Sequence, residues 1–153
     1  MEVGGCKNMK HVWSLFGADG FDIPTSILID EDAISAVSKN FDIREAEFGQ
    51  NSIWVSRKDL EDEYAQALDH STLVPELVSS KLFEDQKRLE LDTRLKNGSL
   101  TNADVAEFCR LKPKNRHPSH KVPAASIVSR LLDRKTASKI KSIMDLLNDI
   151  ESA

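Results

Sequence analysis

The feature that most constrains this chain is the segregation of its charge. Residues 110–141 contain ten Lys/Arg and a single acid, Asp133, whereas the other 121 residues contain 11 Lys/Arg and 24 Asp/Glu. Like charges repel one another, and folding a net charge of +9 into a compact surface increases that repulsion. We therefore expect this charge to be offset, either by a partner outside the chain or by the chain's own acidic part.

Nucleic-acid phosphates are the commonest external polyanion, and they bind cations through the release of counterions. The sequence predicts a nucleic-acid-binding, non-catalytic regulatory or accessory protein, with DNA a more probable target than RNA. Two alternatives stay open. The cations pair with the chain's own acidic N-terminal part, or they meet an acidic protein, in which case the chain is an adaptor, inhibitor or assembly subunit with acidic and basic faces.

Composition indicates a soluble globular chain of one domain, or one domain with a small appendage: 153 residues, 40% hydrophobic and 30% charged. Two cysteines, Cys6 and Cys109, do not make a disulfide framework, which favours a reducing compartment. No run approaches the ~18 apolar residues that a bilayer span needs, and the first residues lack the apolar stretch of a secretory signal. We expect a cytoplasmic or nuclear protein that is neither secreted nor bound to a membrane.

The predicted fold class is α+β, predominantly α-helical. A small acidic part with the few strands is expected over residues 10–70, where SILID (26–30) is typical of a buried strand and residues 41–56 fit a hairpin turning at 49–51. A long connecting helix is expected over 75–97, begun by Pro75 and ended by Gly98. A basic helical part is expected over 99–151.

Two features define the helices of the basic part. Thr101 followed by Asp104 matches a capping box at the start of NADVAEFCRL. A final helix over about residues 136–151 has an apolar face at 3-4-3 spacing. That face either completes the core or forms the seam of a homodimer through Ile140, Ile143, Leu147 and Ile150.

The stretches NADVAEFCRL and ASIVSRLLDRK resemble the helix pair of helix-turn-helix DNA-binding proteins, over about residues 100–134. The family's turn has three or four residues, whereas here residues 112–122 lie between the two stretches. The resemblance implies that the second helix lies in the major groove and that its outer residues face nucleic acid. The predicted nucleic-acid-binding residues are Lys112, Lys114, Arg116, His117, His120, Lys121, Ser126, Ser129, Arg130, Arg134, Lys135 and Lys139.

Metal and catalytic patterns are weak. Cys109, His117 and His120 do not have zinc-finger spacing and lack a fourth soft ligand, so we expect the histidines only to add charge below pH ~6.5. Asp30, Glu31 and Asp32 follow the strand-like run, where carboxylates either cap a helix or hold Mg²⁺ in a nuclease. No phosphate loop or nucleophile elbow is present. We predict no enzyme, cofactor or metal, and keep a small metal-dependent nuclease as a third alternative.

Overall fold

The computed structural model describes residues 6–17, 20–81, 83–111 and 122–152 of the chain. These residues form helices and one two-stranded sheet, which confirms a predominantly helical α+β fold. The helices are α1 (Cys6–Phe16), α2 (Ile34–Phe41), α3 (Leu60–Ala67), α4 (His70–Ser79), α5 (Asp85–Lys96), α6 (Asn102–Cys109), α7 (Val122–Leu131), α8 (Arg134–Ala137) and α9 (Lys141–Ser152). The strands are β1 (Ile27–Asp30) and β2 (Ile53–Ser56).

The chain divides into two compact units, which we call the sheet unit (residues 1–59 and 141–153) and the helical unit (residues 60–140). This division differs from the predicted one, which placed residues 99–151 in a single basic part. The difference comes from α9, which packs against β2 and β1 of the sheet unit. A hydrogen bond stabilises this contact: the Ser26 hydroxyl donates to a carboxylate oxygen of Asp149 on α9 at 2.5 Å.

The sheet unit is built on two parallel strands, with Ile27 opposite Ile53 and Asp30 opposite Ser56. The predicted hairpin over residues 41–56 is therefore wrong: this segment supplies only β2, preceded by two short 3-10 turns at 45–47 and 49–51. Parallel strands need a crossover between them, and α2 lies in that connection. The core of the unit consists of Ile29, Ala33, Val37, Phe48 and Ile53.

The predicted single helix over residues 75–97 is also wrong, because α4 ends at Ser79 and α5 begins at Asp85. Pro75 lies inside α4 instead of in its first turn. Between the two helices Lys81 takes a left-handed φ of 53°, and Phe83 is fully buried. The Phe83 ring packs on Phe108 of α6 with the ring centroids 4.6 Å apart. The helix is interrupted between α4 and α5 because burial of the Phe83 side chain is favourable.

The start of α6 is fixed as the sequence predicted. The Asp104 amide donates to the Thr101 hydroxyl at 3.2 Å, and the Asp104 carboxylate accepts from the Thr101 amide at 3.0 Å. Gly98 follows the end of α5. Its φ of 70° lies in the left-handed region, which glycine adopts without strain. From this start α6 packs against α3 and α5, burying Val105, Ala106, Phe108 and Cys109.

The predicted final helix over residues 136–151 is two helices, α8 and α9, separated by residues 138–140. Of the four predicted seam residues, Ile140 precedes α9 and is fully buried, and Ile143 is half-buried. Leu147 and Ile150 are 41% and 55% exposed. The homodimer stays a prediction, with Leu147 and Ile150 as its accessible residues.

No helix in the described ranges is both long and apolar enough to cross a bilayer.

Ile53 is 1% exposed in the core of the sheet unit, so Ile53→Ala should lower the free energy of unfolding by about 2–5 kcal/mol through lost burial and a residual cavity. Both tryptophans, Trp13 and Trp54, belong to this unit. Urea unfolding followed by tryptophan fluorescence therefore measures the effect. Ile150→Ala, at a 55% exposed position, is the control and should change stability by less than about 0.5 kcal/mol. Equal losses in the two variants would contradict the assignment of this core.

Candidate nucleic-acid interface

Helix α7 presents one polar face to solvent. Its apolar residues Ala124, Ile127 and Val128 are buried, at 0%, 2% and 3% exposure, and the helix packs against α4. Residues three and four apart share a face of a helix, so Ser126, Ser129 and Arg130 form the opposite face, and all three are exposed. The resemblance placed these three residues on the outer side of its second helix, and their exposure agrees with that placement.

A short capped helix follows and carries Arg134 and Lys135, and a third predicted residue, Lys139, lies two residues after its end. The carboxylate of Asp133 accepts from the amide of Thr136 at 2.6 Å and so caps α8. Hydrogen bonds from Thr136 hold the pKa of Asp133 below its usual range, with the nearby Lys135 ammonium adding to the effect. Arg134, Lys135 and Lys139 are all exposed. We call Ser126, Ser129, Arg130, Arg134, Lys135 and Lys139 the basic surface.

The arginines of the chain differ in how their charge is balanced. Five of the seven arginines in the described ranges have a carboxylate within 4 Å, in the pairs Arg44–Glu47, Arg57–Glu45, Arg88–Asp85, Arg94–Asp104 and Arg110–Asp62. Arg130 and Arg134 have no carboxylate of a described residue within that distance. The guanidinium charges of these two residues are thus left for an external anion.

Pairing with the acidic N-terminal part, the alternative left open by the sequence, accounts for Arg110 among the described cations of residues 110–141, whereas Lys141 pairs with an acid of its own helix. Arg110 is bound to Asp62, whose side chain is only 7% exposed, and Lys141 is bound to Asp145. Lys139 is an intermediate case, because it has no ion pair among the described residues but lies close enough to Asp69 to help lower its pKa, after the larger effect of Ser71. The chain's own acidic residues therefore balance some of the described cations of residues 110–141, but they do not balance Arg130 or Arg134.

One of these two ion pairs could be predicted from the sequence, and the other could not. Lys141 and Asp145 are four residues apart on α9, a spacing at which helical side chains meet. Arg110 and Asp62 are 48 residues apart, and only the packing of α6 on α3 brings them together.

Six predicted site residues, Lys112, Lys114, Arg116, His117, His120 and Lys121, lie outside the described residues. The segment 112–121 would also connect the two helices of the helix-turn-helix resemblance. In the described part, α6 packs against α3 and α5, while α7 packs against α4. The helix-turn-helix arrangement stays a prediction.

Asp30, Glu31 and Asp32 follow one another at the carboxyl edge of the sheet. Asp30 ends β1 and is paired in register with Ser56, which ends β2. The Ser56 hydroxyl is fully buried and has no hydrogen-bond partner in the described part of the chain. Glu31 accepts from Arg57 at 3.3 Å and from the Lys58 amide at 3.0 Å, while Asp32 is exposed. Across the described ranges, no three His, Cys, Asp or Glu side chains are grouped as a ready metal site.

A cavity of about 190 Å³ lies between α5 and α6 in the helical unit. It is lined by Lys87, Glu90, Leu91, Arg94, Asp104, Glu107, Phe108 and Leu111. Its charged side chains largely satisfy one another, since Arg94 binds Asp104 at 2.5 Å and Glu90 at 3.2 Å. Lys87 is 3.5 Å from Glu90. The charged lining thus consists mainly of internal ion pairs beside Leu91, Phe108 and Leu111, and Glu107 is the lining charge that has no ion pair among the described residues.

No match was found for this chain among models of protein families, among curated proteins or among solved structures. The function therefore has to be inferred from the chemistry of the chain's own surfaces.

Asp104 joins α5 to α6 and makes stability depend on pH. Hydrogen bonds from Thr101, and then Arg94, hold the pKa of Asp104 below its usual range. A lowered pKa stabilises the fold at pH values above the unfolded pKa of about 3.9, and this contribution is lost as the pH falls through the folded-state value. We expect Asp104→Asn to be less stable than the parent at pH 7, with the difference shrinking as the pH falls toward 3.

Urea unfolding followed by far-ultraviolet circular dichroism, repeated at pH 7, 5 and 3, measures this difference. Asp92→Asn is the matched control, because among the described residues Asp92 pairs with Lys96 alone, one turn away on the surface of α5. A stability difference for Asp104→Asn that stays constant over this range would contradict the role of its charge.

Proposed function

We propose that this chain binds nucleic acid through the basic surface and does so without catalysis. The observation that carries the proposal is the exposure of Arg130 and Arg134 without a described carboxylate partner, in a chain whose other described arginines are paired. Phosphate oxygens are the natural complement of an unpaired guanidinium, which can donate two parallel hydrogen bonds to them.

The two unpaired arginines of the basic surface lie close together along the chain. Arg130 lies in the last turn of α7, and Arg134 begins α8 four residues later, so their Cα atoms are at most about 14 Å apart. The Asp133 cap on α8 restricts this connection further. Cations held in this way can contact neighbouring phosphates without first losing much backbone freedom.

The two serines of α7 suit the same role. Ser129 donates to the carbonyl of Ser126 at 3.0 Å, an exposed local bond that its hydroxyl can exchange for a phosphate oxygen. Their small side chains also leave room for a phosphate backbone to approach the helix. Contacts to phosphate fix position on the nucleic acid and carry no direct sequence information.

Charge reversal at both arginines, Arg130→Glu with Arg134→Glu, should weaken binding by roughly tenfold per lost phosphate contact at 0.1 M salt. The slope of log K against log salt should become shallower by about 1 per residue. Fluorescence anisotropy with a labelled oligonucleotide at four salt concentrations measures both quantities.

The matched control is Lys10→Glu with Lys39→Glu. Both lysines are exposed and belong to the sheet unit, so the variant makes the same change in net charge at a different place. Asp133→Asn should act in the opposite direction and strengthen binding, because asparagine keeps the helix cap and removes the single acid of the basic segment. Equal weakening by both double reversals would contradict a local role for the basic surface.

A metal-dependent nuclease is the third alternative of the sequence analysis, and the position of Asp30 at the carboxyl edge of the sheet is the observation that favours it. Ligands of open parallel sheets bind outside the carboxyl ends of the strands, where Asp30 lies, with Glu31 and Asp32 directly after it. Mg²⁺ is often held by one or two carboxylates together with substrate phosphates, so a complete protein cage is not required. The buried Ser56 hydroxyl on the neighbouring strand is a further polar group at this edge.

The nuclease candidate predicts Mg²⁺-dependent loss of a plasmid substrate that Asp30→Ala and Asp32→Ala abolish. Plasmid degradation followed on agarose gels with Mg²⁺ and with EDTA measures it. Glu151→Ala is the control, since Glu151 is an exposed acid of the same unit on the helix α9. Cleavage that persists in Asp30→Ala, or no cleavage by the parent chain in Mg²⁺, would rule out this candidate and leave binding without catalysis.

An adaptor or assembly role remains the other alternative, and it draws on a different surface. Leu15, Phe21 and Ile23 are 50%, 66% and 49% exposed. They lie in one short segment, in which the Phe21 amide donates to the Leu15 carbonyl at 2.9 Å. Exposed apolar side chains of this kind are typical of contacts with proteins.

A further inference from the structure

We propose that the cavity between α5 and α6 binds a small arylalkylamine, a ligand in which an aromatic ring carries an ammonium group on a short chain. The cavity lies within the helical unit, and this binding does not depend on the proposed binding of nucleic acid. The proposal rests on the geometry of the cavity, on its apolar side chains, and on one carboxylate of its lining that forms no ion pair with a described residue.

The lining of the cavity comes from one face of each helix. On both sides the lining residues are spaced at i, i+3, i+4 and i+7, the spacing at which helical side chains share a face. They are Lys87, Glu90, Leu91 and Arg94 on α5, and Asp104, Glu107, Phe108 and Leu111 on α6 and the turn that follows it. Because both faces line one cavity, the two helices form a cleft, and clefts between helices are common sites for small ligands.

Several contacts order the walls of the cavity before a ligand enters. Arg94 joins the two helices, since it binds Asp104 at 2.5 Å. Asp104 is itself held by reciprocal hydrogen bonds with Thr101. The ring of Phe108 packs on the ring of Phe83 with the centroids 4.6 Å apart. Because these groups are already ordered, a ligand can bind with little further loss of conformational freedom.

The volume and the apolar side chains of the cavity define the body of the ligand. The cavity measures about 190 Å³. An apolar protein cavity of about 150 Å³ holds benzene, so this cavity can accept one ring with a short chain. Leu91 and Phe108 are each 4% exposed, and Leu111 is half-buried, so these side chains supply the apolar contact. The Phe108 ring also favours an aromatic ligand, because aromatic pairs gain more than their buried area alone provides.

The charges of the lining select a cation. Arg94 binds Asp104 and Glu90, and the ammonium group of Lys87 lies 3.5 Å from Glu90. The remaining charge is Glu107, whose carboxylate has no ion pair with any residue that the structure describes. Three acids and two bases line the cavity, so its net charge is −1. An ammonium group complements this charge with strong ionic hydrogen bonds, whereas a carboxylate or a phosphate would be repelled.

The experiment titrates the ¹⁵N-labelled full chain with small molecules and follows the backbone amide shifts by nuclear magnetic resonance. Phenethylamine is the probe. The neutral compound 2-phenylethanol keeps the ring without the charge, ethylamine keeps the charge without the ring, and 3-phenylpropionate reverses the charge. We expect phenethylamine to bind with a Kd of about 1 mM or below, and at least tenfold more tightly than the other three. The shifts should be concentrated on the residues that line the cavity.

The variant Glu107→Gln removes the charge and keeps the shape of the side chain. It should weaken the binding of phenethylamine roughly tenfold and leave the binding of 2-phenylethanol unchanged. Glu107 is exposed, so the variant should fold as the parent does. Glu76→Gln is the matched control, because Glu76 is an exposed acid of the same unit that lies on α4, outside the lining, and this variant should bind phenethylamine as the parent does.

A lysine side chain carries the same ammonium group, so N-acetyl-lysine amide tests whether the amine belongs to a peptide. It should bind at least tenfold more weakly than phenethylamine, because it lacks the ring and loses the freedom of a longer chain. Tighter binding of this lysine compound would overturn the assignment to an arylalkylamine.

Three other outcomes would overturn the proposal. The first is equal binding of phenethylamine and 2-phenylethanol, and the second is a set of shifts confined to residues outside the cavity. The third is equal weakening by Glu107→Gln and Glu76→Gln, which would show that the net charge of the chain attracts the amine. All three leave the proposed binding of nucleic acid untouched, since the basic surface draws on residues of α7 and α8 and on Lys139.

Discussion

The packing of α7 against α4 is the contact on which the basic surface depends. Burying Ile127 and Val128 stabilises the fold by roughly 1.5–3 kcal/mol for each side chain, which fixes the rotation of α7 about its own axis. Once that rotation is fixed, helical geometry places Ser126, Ser129 and Arg130 on the side that faces solvent. The apolar half of α7 thus decides which polar groups an external ligand can reach.

The same unit shows why only some of its cations remain unpaired. A carboxylate that is nearly buried, such as Asp62, needs a partner, because an isolated buried charge is strongly destabilising. The helix α6 supplies Arg110 for that purpose, and Arg94 similarly binds Asp104 where α5 meets α6. Arg130 and Arg134 lie beyond these contacts among the described residues, so folding does not require their charge for internal balance. Charge that the fold does not need is available to steer a ligand of opposite sign.

The two units differ in their charged and polar residues. The sheet unit places Asp30 and Ser56 side by side at the carboxyl edge of its parallel strands. The helical unit, residues 60–140, carries 14 Lys/Arg against 12 Asp/Glu, whereas the rest of the chain carries 7 against 13. The nuclease candidate draws on Asp30 at this sheet edge, and the proposed binding of nucleic acid draws on Arg130 and Arg134 of the helical unit.

Local patterns in the sequence determined the helical character of the chain, the faces of α7 and the start of α6. These features follow from contacts between residues three or four apart, such as the reciprocal hydrogen bonds of Thr101 and Asp104, and such spacings can be read directly. Three of the twelve candidate site residues, Ser126, Ser129 and Arg130, could be assigned to an exposed face on this basis, because their exposure follows from helical periodicity. The other predicted loop residues have no described structure against which to compare them.

Tertiary structure alone decided the features that join distant parts of the chain. The parallel pairing of β1 with β2 replaced the predicted hairpin, and burial of Phe83 against Phe108 divided the predicted long helix. The contact of α9 with the strands moved it from the basic part to the sheet unit. Arg110 is not available to a ligand, because it binds Asp62, which is 48 residues away in the sequence. Each outcome depends on which surfaces meet after the elements form, and local periodicity fixes which face of an element is apolar but not which partner covers it.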